Sequence, residues 1–218
     1  MNDLTEEQQV EQLRDWWKEN GTSLMVVLAV GIAGAIGWVK WQDSKQATRE
    51  AAGTLFDRAV DAASRNDSIT LDQRVDELVA EYGDSAYVPL AKLRQASVLM
   101  ADGDAAEARG LLASLLVSEK DTALAPLIAT RLARVEIYLD EPEAALATLD
   151  GVRAGRFEPF FNEIRGDAFV ALGQSEDARN AYQSALDDPG QPQLIDTAFV
   201  GIKLAELATA DDDPVVAP

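Results

Sequence analysis

Residues 166–189 read GDAFVALGQSEDARNAYQSALDDP, and the spacing inside this stretch decides the fold. Small residues stand at Gly166, Ala178 and Ala185, large ones at Phe169, Leu172 and Tyr182, and a second glycine at Gly173. Apolar residues three and four apart mark helices, and Gly173 divides the stretch into two of them. Thirty-three residues earlier, Ala133, Leu139, Asp140, Ala145 and Leu149 fill matching slots. Thirty-seven before that, Ala96, Leu99, Gly103, Ala108 and Leu112 do so again, and one further step of 37 lands on Asn66. A unit of this length cannot bury its own apolar face and must stack on its neighbours. Four helical hairpins are expected, the third and fourth at about 126–158 and 159–191, the first degenerate.

Counted from the start of each hairpin, the slots are 8, 11, 14, 15, 20, 24 and 27, the offsets of the tetratricopeptide repeat, and Pro189 falls close to that repeat's proline. The reason is steric. Positions 8 and 20 lie where paired helices cross closely and admit only small side chains, while large residues at 11 and 24 fill the gap to the next pair. Ahead of these, residues 42–66 lack proline and carry Ala47, Ala51, Leu55, Ala59 and Ala62 at helical spacing. Asp67-Ser68 and Thr70 cap the next helix, which carries Leu71, Val75, Leu78 and Val79 on one face and ends with Gly83 as its expected C′ residue. Residues 193–208 read as a capping helix with Leu194, Ala198, Ile202 and Ala205 toward the stack, and 209–218 as a disordered tail.

A different pattern precedes the repeats. Residues 22–39, TSLMVVLAVGIAGAIGWV, contain no charge, and 22–41 as a helix span roughly 30 Å, the thickness of a hydrocarbon core. Trp16, Trp17, Trp38 and Trp41 bracket this run as membrane-interface anchors, where indole rings favour the headgroup level. Ala29, Ala33 and Gly37 form one small-residue stripe suited to helix packing in lipid. The tail at 1–21 is acidic, the opposite of a signal peptide's basic start, so an uncleaved anchor is expected. The fold class is therefore all-α: one N-terminal transmembrane helix (22–41) followed by a tetratricopeptide-like solenoid with its capping helix (42–208).

The net charge of −19 argues against nucleic-acid binding through phosphate contacts. Histidine and cysteine are both absent, which removes His-based metal sites, Ser–His–Asp triads, thiol chemistry and disulfides. The acidic pairs Asp102/Asp104, Glu141/Glu143 and Asp187/Asp188 fall at hairpin turns, where caps explain them. No enzyme motif, cofactor or metal is expected. A stack of hairpins instead offers a groove lined by the first helix of each pair. The repeat register selects Leu90, Leu93, Ser97 and Met100, then Leu127, Thr130, Arg134 and Ile137, then Phe160, Glu163, Asp167 and Val170, with Arg94, Arg131 and Tyr138 near the same face. Of these, Leu93, Arg94, Ser97, Thr130, Arg131, Arg134, Tyr138, Phe160, Glu163 and Asp167 are the candidate partner-binding residues, for an extended peptide or a partner's helix. Phe157, Phe160 and Phe161 cluster before the last hairpin, as core or as docking surface.

The order of parts resembles a known family, the YfgM-like ancillary subunits of the SecYEG translocon. The stretches that carry the likeness are Trp16-Trp17-Lys18-Glu19-Asn20-Gly21, Gly37-Trp38, Arg131-Leu132-Ala133-Arg134-Val135, Ala144-Ala145-Leu146, Thr148-Leu149-Asp150, Arg165-Gly166-Asp167-Ala168 and Gly173-Gln174. The resemblance implies a bacterial inner-membrane protein, N-terminus cytoplasmic and repeats periplasmic. It would bind the translocon, a PpiD-like periplasmic chaperone and exported client proteins, without catalysis. The charge count points the other way: Arg14 and Lys18 precede the span, while Lys40, Lys45, Arg49 and Arg58 follow it, which taken alone favours a cytoplasmic domain. The alternative function is a membrane-tethered regulatory or assembly scaffold, acting through its repeats or its N-terminal tail.

Overall fold

A computed structural model describes residues 6–188 and 193–212, with side chains for 10–188 and 193–208. Pro189 and residues 213–218 lie outside the described residues, while 209–212, expected as the start of a disordered tail, continue the last helix. The described elements are all helical: α1 (Glu6–Ser64), α2 (Ser68–Tyr82), α3 (Tyr87–Asp102), α4 (Ala105–Ser118), α5 (Ala125–Tyr138), α6 (Pro142–Asp150), a 3₁₀ turn at Gly155–Phe157, α7 (Glu158–Ala171), α8 (Ser175–Asp187) and α9 (Thr197–Asp212). The chain divides into two compact units, Met1–Ala52 and Gly53–Pro218.

The first unit holds the N-terminal part of α1, up to Ala52. α1 is long and apolar enough to cross a membrane. Leu24, Val26, Val27, Val30, Ile32 and Ile36 are all exposed, an arrangement that suits lipid contact. The four tryptophans are exposed as well. Trp38 and Trp41 lie 5.1 Å apart between ring centroids, and the Lys45 ammonium sits 3.9 Å above the Trp41 ring. Ala29, Ala33 and Gly37 stand on one exposed stripe, and a Cβ added at Gly37 meets nothing.

The second unit is a stack of hairpins. α3 packs on α4, α5 on α6 and α7 on α8, with each pair against the next, and α9 lies on α8. The repeat is written into the backbone of its turns. Asn66, Gly103, Asp140 and Gly173, the slots at steps of 37, 37 and 33 residues, all have left-handed φ (54°, 92°, 61° and 71°). After each of them the next N–H reaches back five residues: Asp67 to Ala62, Asp104 to Leu99, Glu141 to Glu136 and Gln174 to Phe169, at 2.9–3.0 Å. These are four copies of one Schellman cap, so even the degenerate first hairpin, made by the end of α1 with α2, keeps its turn. The expected cap at Asp67 is also present, its carboxylate accepting from the Thr70 N–H at 3.0 Å. Gly83 differs from expectation: it is right-handed (φ −52°), and a Ser85 turn with the Tyr82 carbonyl closes α2 instead.

Small residues at positions 8 and 20 are buried as the steric reading requires: Ala96, Ala108, Ala133, Ala145, Gly166 and Ala178. Apolar clusters fill the joints between pairs. Leu93, Leu112, Ile128 and Leu132 form one, and Ala129, Leu149, Phe161 and Ile164 form the next. Each fully buried Leu, Ile or Phe contributes about 1.5–3 kcal/mol. Inside the last hairpin Tyr182 of α8 lies against Gly166 of α7 so closely that a Cβ there would stand 2.3 Å from the ring.

The capping helix forms, but on a different face. Val200 is fully buried, Leu204 and Leu207 pack beside it, and Ile195 precedes it in the core. Ala198, Ile202 and Ala205 of the expected face are exposed, and Leu194 is half-buried. The Asp196 carboxylate accepts from the Ala198 and Phe199 N–H groups at 3.0 and 3.1 Å. This cap starts the helix one residue after Asp196 and sets its phase.

Candidate functional site

Helical spacing places Phe160, Glu163 and Asp167 on one face of α7 and Arg134, Ile137 and Tyr138 at the end of α5. α9 closes the space above them with Phe199 and Lys203, preceded by Asp196. Together these nine residues line a cleft of about 630 Å³. Its rim is apolar, with Tyr138 69 % and Phe199 51 % exposed. Its floor is charged. The Lys203 ammonium donates to Glu163 Oε1 at 3.1 Å and to both Asp167 oxygens at 2.8 and 2.9 Å. Arg134 lies 3.6 Å from the same Glu163 oxygen, and the Tyr182 hydroxyl donates to Asp167 Oδ1 at 2.7 Å. Burial first, and the hydrogen bond to Asp167 second, push the Tyr182 hydroxyl's pKa well above its usual value, so it stays a donor.

Five of the ten candidate groove residues therefore meet here: Arg134, Tyr138, Phe160, Glu163 and Asp167. Arg94 and Ser97 line a separate hollow of about 340 Å³ with Val60, Ala63, Ser64 and Asn66. The remaining three are drawn inward. Leu93 belongs to the core, and Thr130 is buried with its hydroxyl donating to the Leu127 carbonyl at 2.7 Å. Arg131 is partly buried and donates to the Leu93 carbonyl at 3.2 Å. Burial, with the Arg94 charge nearby, lowers its pKa below the usual guanidinium value. Of the aromatic cluster, Phe161 is fully buried, Phe157 packs on the same core, and Phe160 lines the cleft.

Lys203, Phe199 and Asp196 are the cleft residues that repeat reasoning misses. They lie outside the hairpins, and Lys203 is 36–40 residues from its partners. The available signal was the pair Glu163 and Asp167 on a groove face, two carboxylates close enough to need a cation between them. Among the described residues, no cluster of three or more acidic side chains is arranged to hold a metal.

A solenoid of small-residue crossings and repeated Schellman turns, with a side-chain-lined cleft, defines a repeat-type binding scaffold. The chain belongs to the tetratricopeptide repeat-like domain family, whose model matches residues 14–209. Among curated proteins it is similar to the ancillary SecYEG translocon subunit of Haemophilus influenzae, 28 % identical over 86 % of this chain and 92 % of that one. It is likewise similar to that of Escherichia coli, 29 % identical over 87 % and 91 %. The resemblance drawn from the sequence is borne out by these relatives. Among solved structures, the tetratricopeptide-like repeats of a putative kinesin light chain from Podosopora anserina superpose with a TM-score of 0.59 at 14 % identity, over 75 % of this chain and 88 % of that one. A MamA RS-1 double mutant gives 0.53 at 18 % identity, over 74 % and 96 %. These two likenesses concern the fold alone.

Proposed function

We propose that this chain is a membrane-anchored, non-catalytic protein-binding subunit that associates with the SecYEG translocon and receives partner segments in the cleft between α5, α7 and α9. The observation that carries this reading is the cleft itself, a space of about 630 Å³ with exposed Tyr138 and Phe199 at its rim, in a chain whose relatives are translocon subunits. Exposed aromatic rings beside charged floor groups are what a peptide-binding surface requires. In this reading α1 crosses the inner membrane with its N-terminus in the cytoplasm. The repeats then stand in the periplasm, where a PpiD-like chaperone and newly exported chains are the partners. Residues 1–21, 22–41, 42–208 and 209–218 serve as tail, span, binding domain and trailing segment.

The test is recovery of SecYEG with the tagged full-length protein from solubilised membranes. Tyr138→Ala and Arg134→Ala are expected to lower recovery of the partners, while deletion of residues 1–15 leaves it unchanged. The reverse pattern would replace this reading with a regulatory scaffold acting through its N-terminal tail. Topology is read separately, because the chain has no cysteine of its own. Asp84→Cys, at an exposed turn, is expected to react with a membrane-impermeant thiol reagent in intact cells. Protection until lysis would place the repeats in the cytoplasm, as the Lys/Arg count favours.

A further inference from the structure

We infer that Glu163 and Asp167 form a receptor for the ammonium group of a lysine in the bound partner segment, and that Lys203 fills it in the free protein as a displaceable internal occupant. This rests on the cleft being the partner-binding surface. The site has the parts that recognise an ammonium. Two carboxylates on successive turns of α7 present three oxygens within 3.1 Å of one nitrogen. The Phe199 and Tyr182 rings lie 4.8 and 5.7 Å from that nitrogen, within cation–π range. A compact cation with three donors reaches both carboxylates from one nitrogen, whereas the planar fork of an arginine pairs best with a single carboxylate.

Lys203 is also placed to leave. Its side chain lines the cleft and keeps 18 % of its surface exposed. α9 is held by Val200, Leu204 and Leu207 together with Ile195 just before it, so the ammonium departs by rotation of its own four-carbon stem with the helix still docked. What remains is a floor with Glu163 beside Arg134 and Asp167 beside the Tyr182 hydroxyl, in a protein of net charge −19. That field attracts a cationic segment and repels an acidic one. The apolar residues flanking such a lysine find Tyr138, Phe160 and Phe199 around it.

The experiment uses the full chain in detergent micelles and three labelled peptides of one extended apolar sequence, with lysine, arginine or norleucine at the centre. Binding is read by fluorescence anisotropy. Removing an internal competitor raises apparent affinity by the reciprocal of the fraction of time the site stands open. Lys203→Met is therefore expected to bind the lysine peptide about tenfold more tightly than the parent does, if the site is about nine-tenths occupied. The norleucine peptide gains nothing, and adding Glu163→Gln cancels the effect. In the unsubstituted protein, saturating lysine peptide is expected to make Lys203 newly reactive to reductive methylation, read by mass spectrometry, which does not depend on a variant folding. Unchanged methylation of Lys203 at saturation, equal gain for the norleucine peptide, or an arginine peptide that binds as well as lysine would each overturn the inference. The cleft itself is read independently by the norleucine peptide: if Tyr138→Ala leaves its binding intact, the cleft assignment falls, whatever Lys203 does.

Discussion

Gly166→Ala adds one methyl group where the two helices of the last hairpin, α7 and α8, cross. The new Cβ would stand 2.3, 2.4 and 2.8 Å from Cε1, Cδ1 and Cζ of Tyr182, well inside any tolerable carbon contact. The ring cannot retreat freely. It is 2 % exposed, and its hydroxyl is tied to Asp167 Oδ1 at 2.7 Å. Overpacking of this kind costs about 1–3 kcal/mol. Loss of a hydrogen bond to a carboxylate adds about 1.5–3 kcal/mol if the ring shifts. Against this, alanine is favoured over glycine inside a helix by about 1 kcal/mol. With the ring displaced the net destabilisation is about 1.5–5 kcal/mol, and for a domain of this size it lowers the melting midpoint by roughly 3–20 °C. The assay is thermal unfolding by circular dichroism, for Gly166→Ala alone and combined with Tyr182→Leu. With the ring gone, the alanine is expected to be neutral or stabilising. A midpoint that rises in the single variant, or falls equally in both backgrounds, would refute the crossing-distance reasoning.

Two further outcomes follow from other parts of the stack. Glu136 is 7 % exposed, one of its oxygens has no partner, and burial raises its pKa above 4.5 despite a hydrogen bond with Thr148 and the nearby charge of Arg109. A carboxyl whose folded pKa is raised contributes its full stability below the unfolded value and loses it as pH rises through the folded value. Glu136→Gln is therefore expected to raise the melting midpoint at pH 7.5 relative to the parent, and this advantage shrinks toward pH 4. Arg165 joins Glu158 at 3.0 Å and Asp150 at 3.2 Å, tying α7 to the end of α6 across the 3₁₀ turn. Both pairs are partly solvated, so Arg165→Ala is expected to cost only about 0.2–1 kcal/mol, a change of a few degrees at most in the same melt.

The hairpins were legible because the chain repeats the same steric demand. The step from Gly173 to Asp140, Gly103 and Asn66 located four left-handed turns, three of them outside the stretch where the pattern is clearest. A period carries less information about depth. Thr130 and Leu93 occupy groove-facing slots in the register, yet neighbouring pairs close over them, and Thr130 satisfies its hydroxyl on its own helix. α9 was misphased for another reason. Val200, Leu204 and Leu207 compete with Ala198, Ile202 and Ala205, and both sets are apolar at helical spacing. The buried face was settled by the cap at Asp196 and by the reach of Lys203 to Glu163 and Asp167, neither of which is a periodic signal. For the same reason the half of the cleft contributed by α9 was invisible to a method that reads one repeat at a time.

Gly166 and Asp167 are neighbours in the chain and serve the same tyrosine, one by making room for its ring and the other by accepting its hydroxyl. Asp167 also faces the cleft. Position 167 is thus not free to drift with the taste of a partner: an exchange made there to suit a new ligand loosens the joint beneath it. Tyr138 and Phe199 carry no such double duty at the rim. If the cleft receives partners as proposed, its specificity can vary at those aromatic positions with less loss of stability than at the acidic floor, so a redesigned binder built on it should begin with the rim.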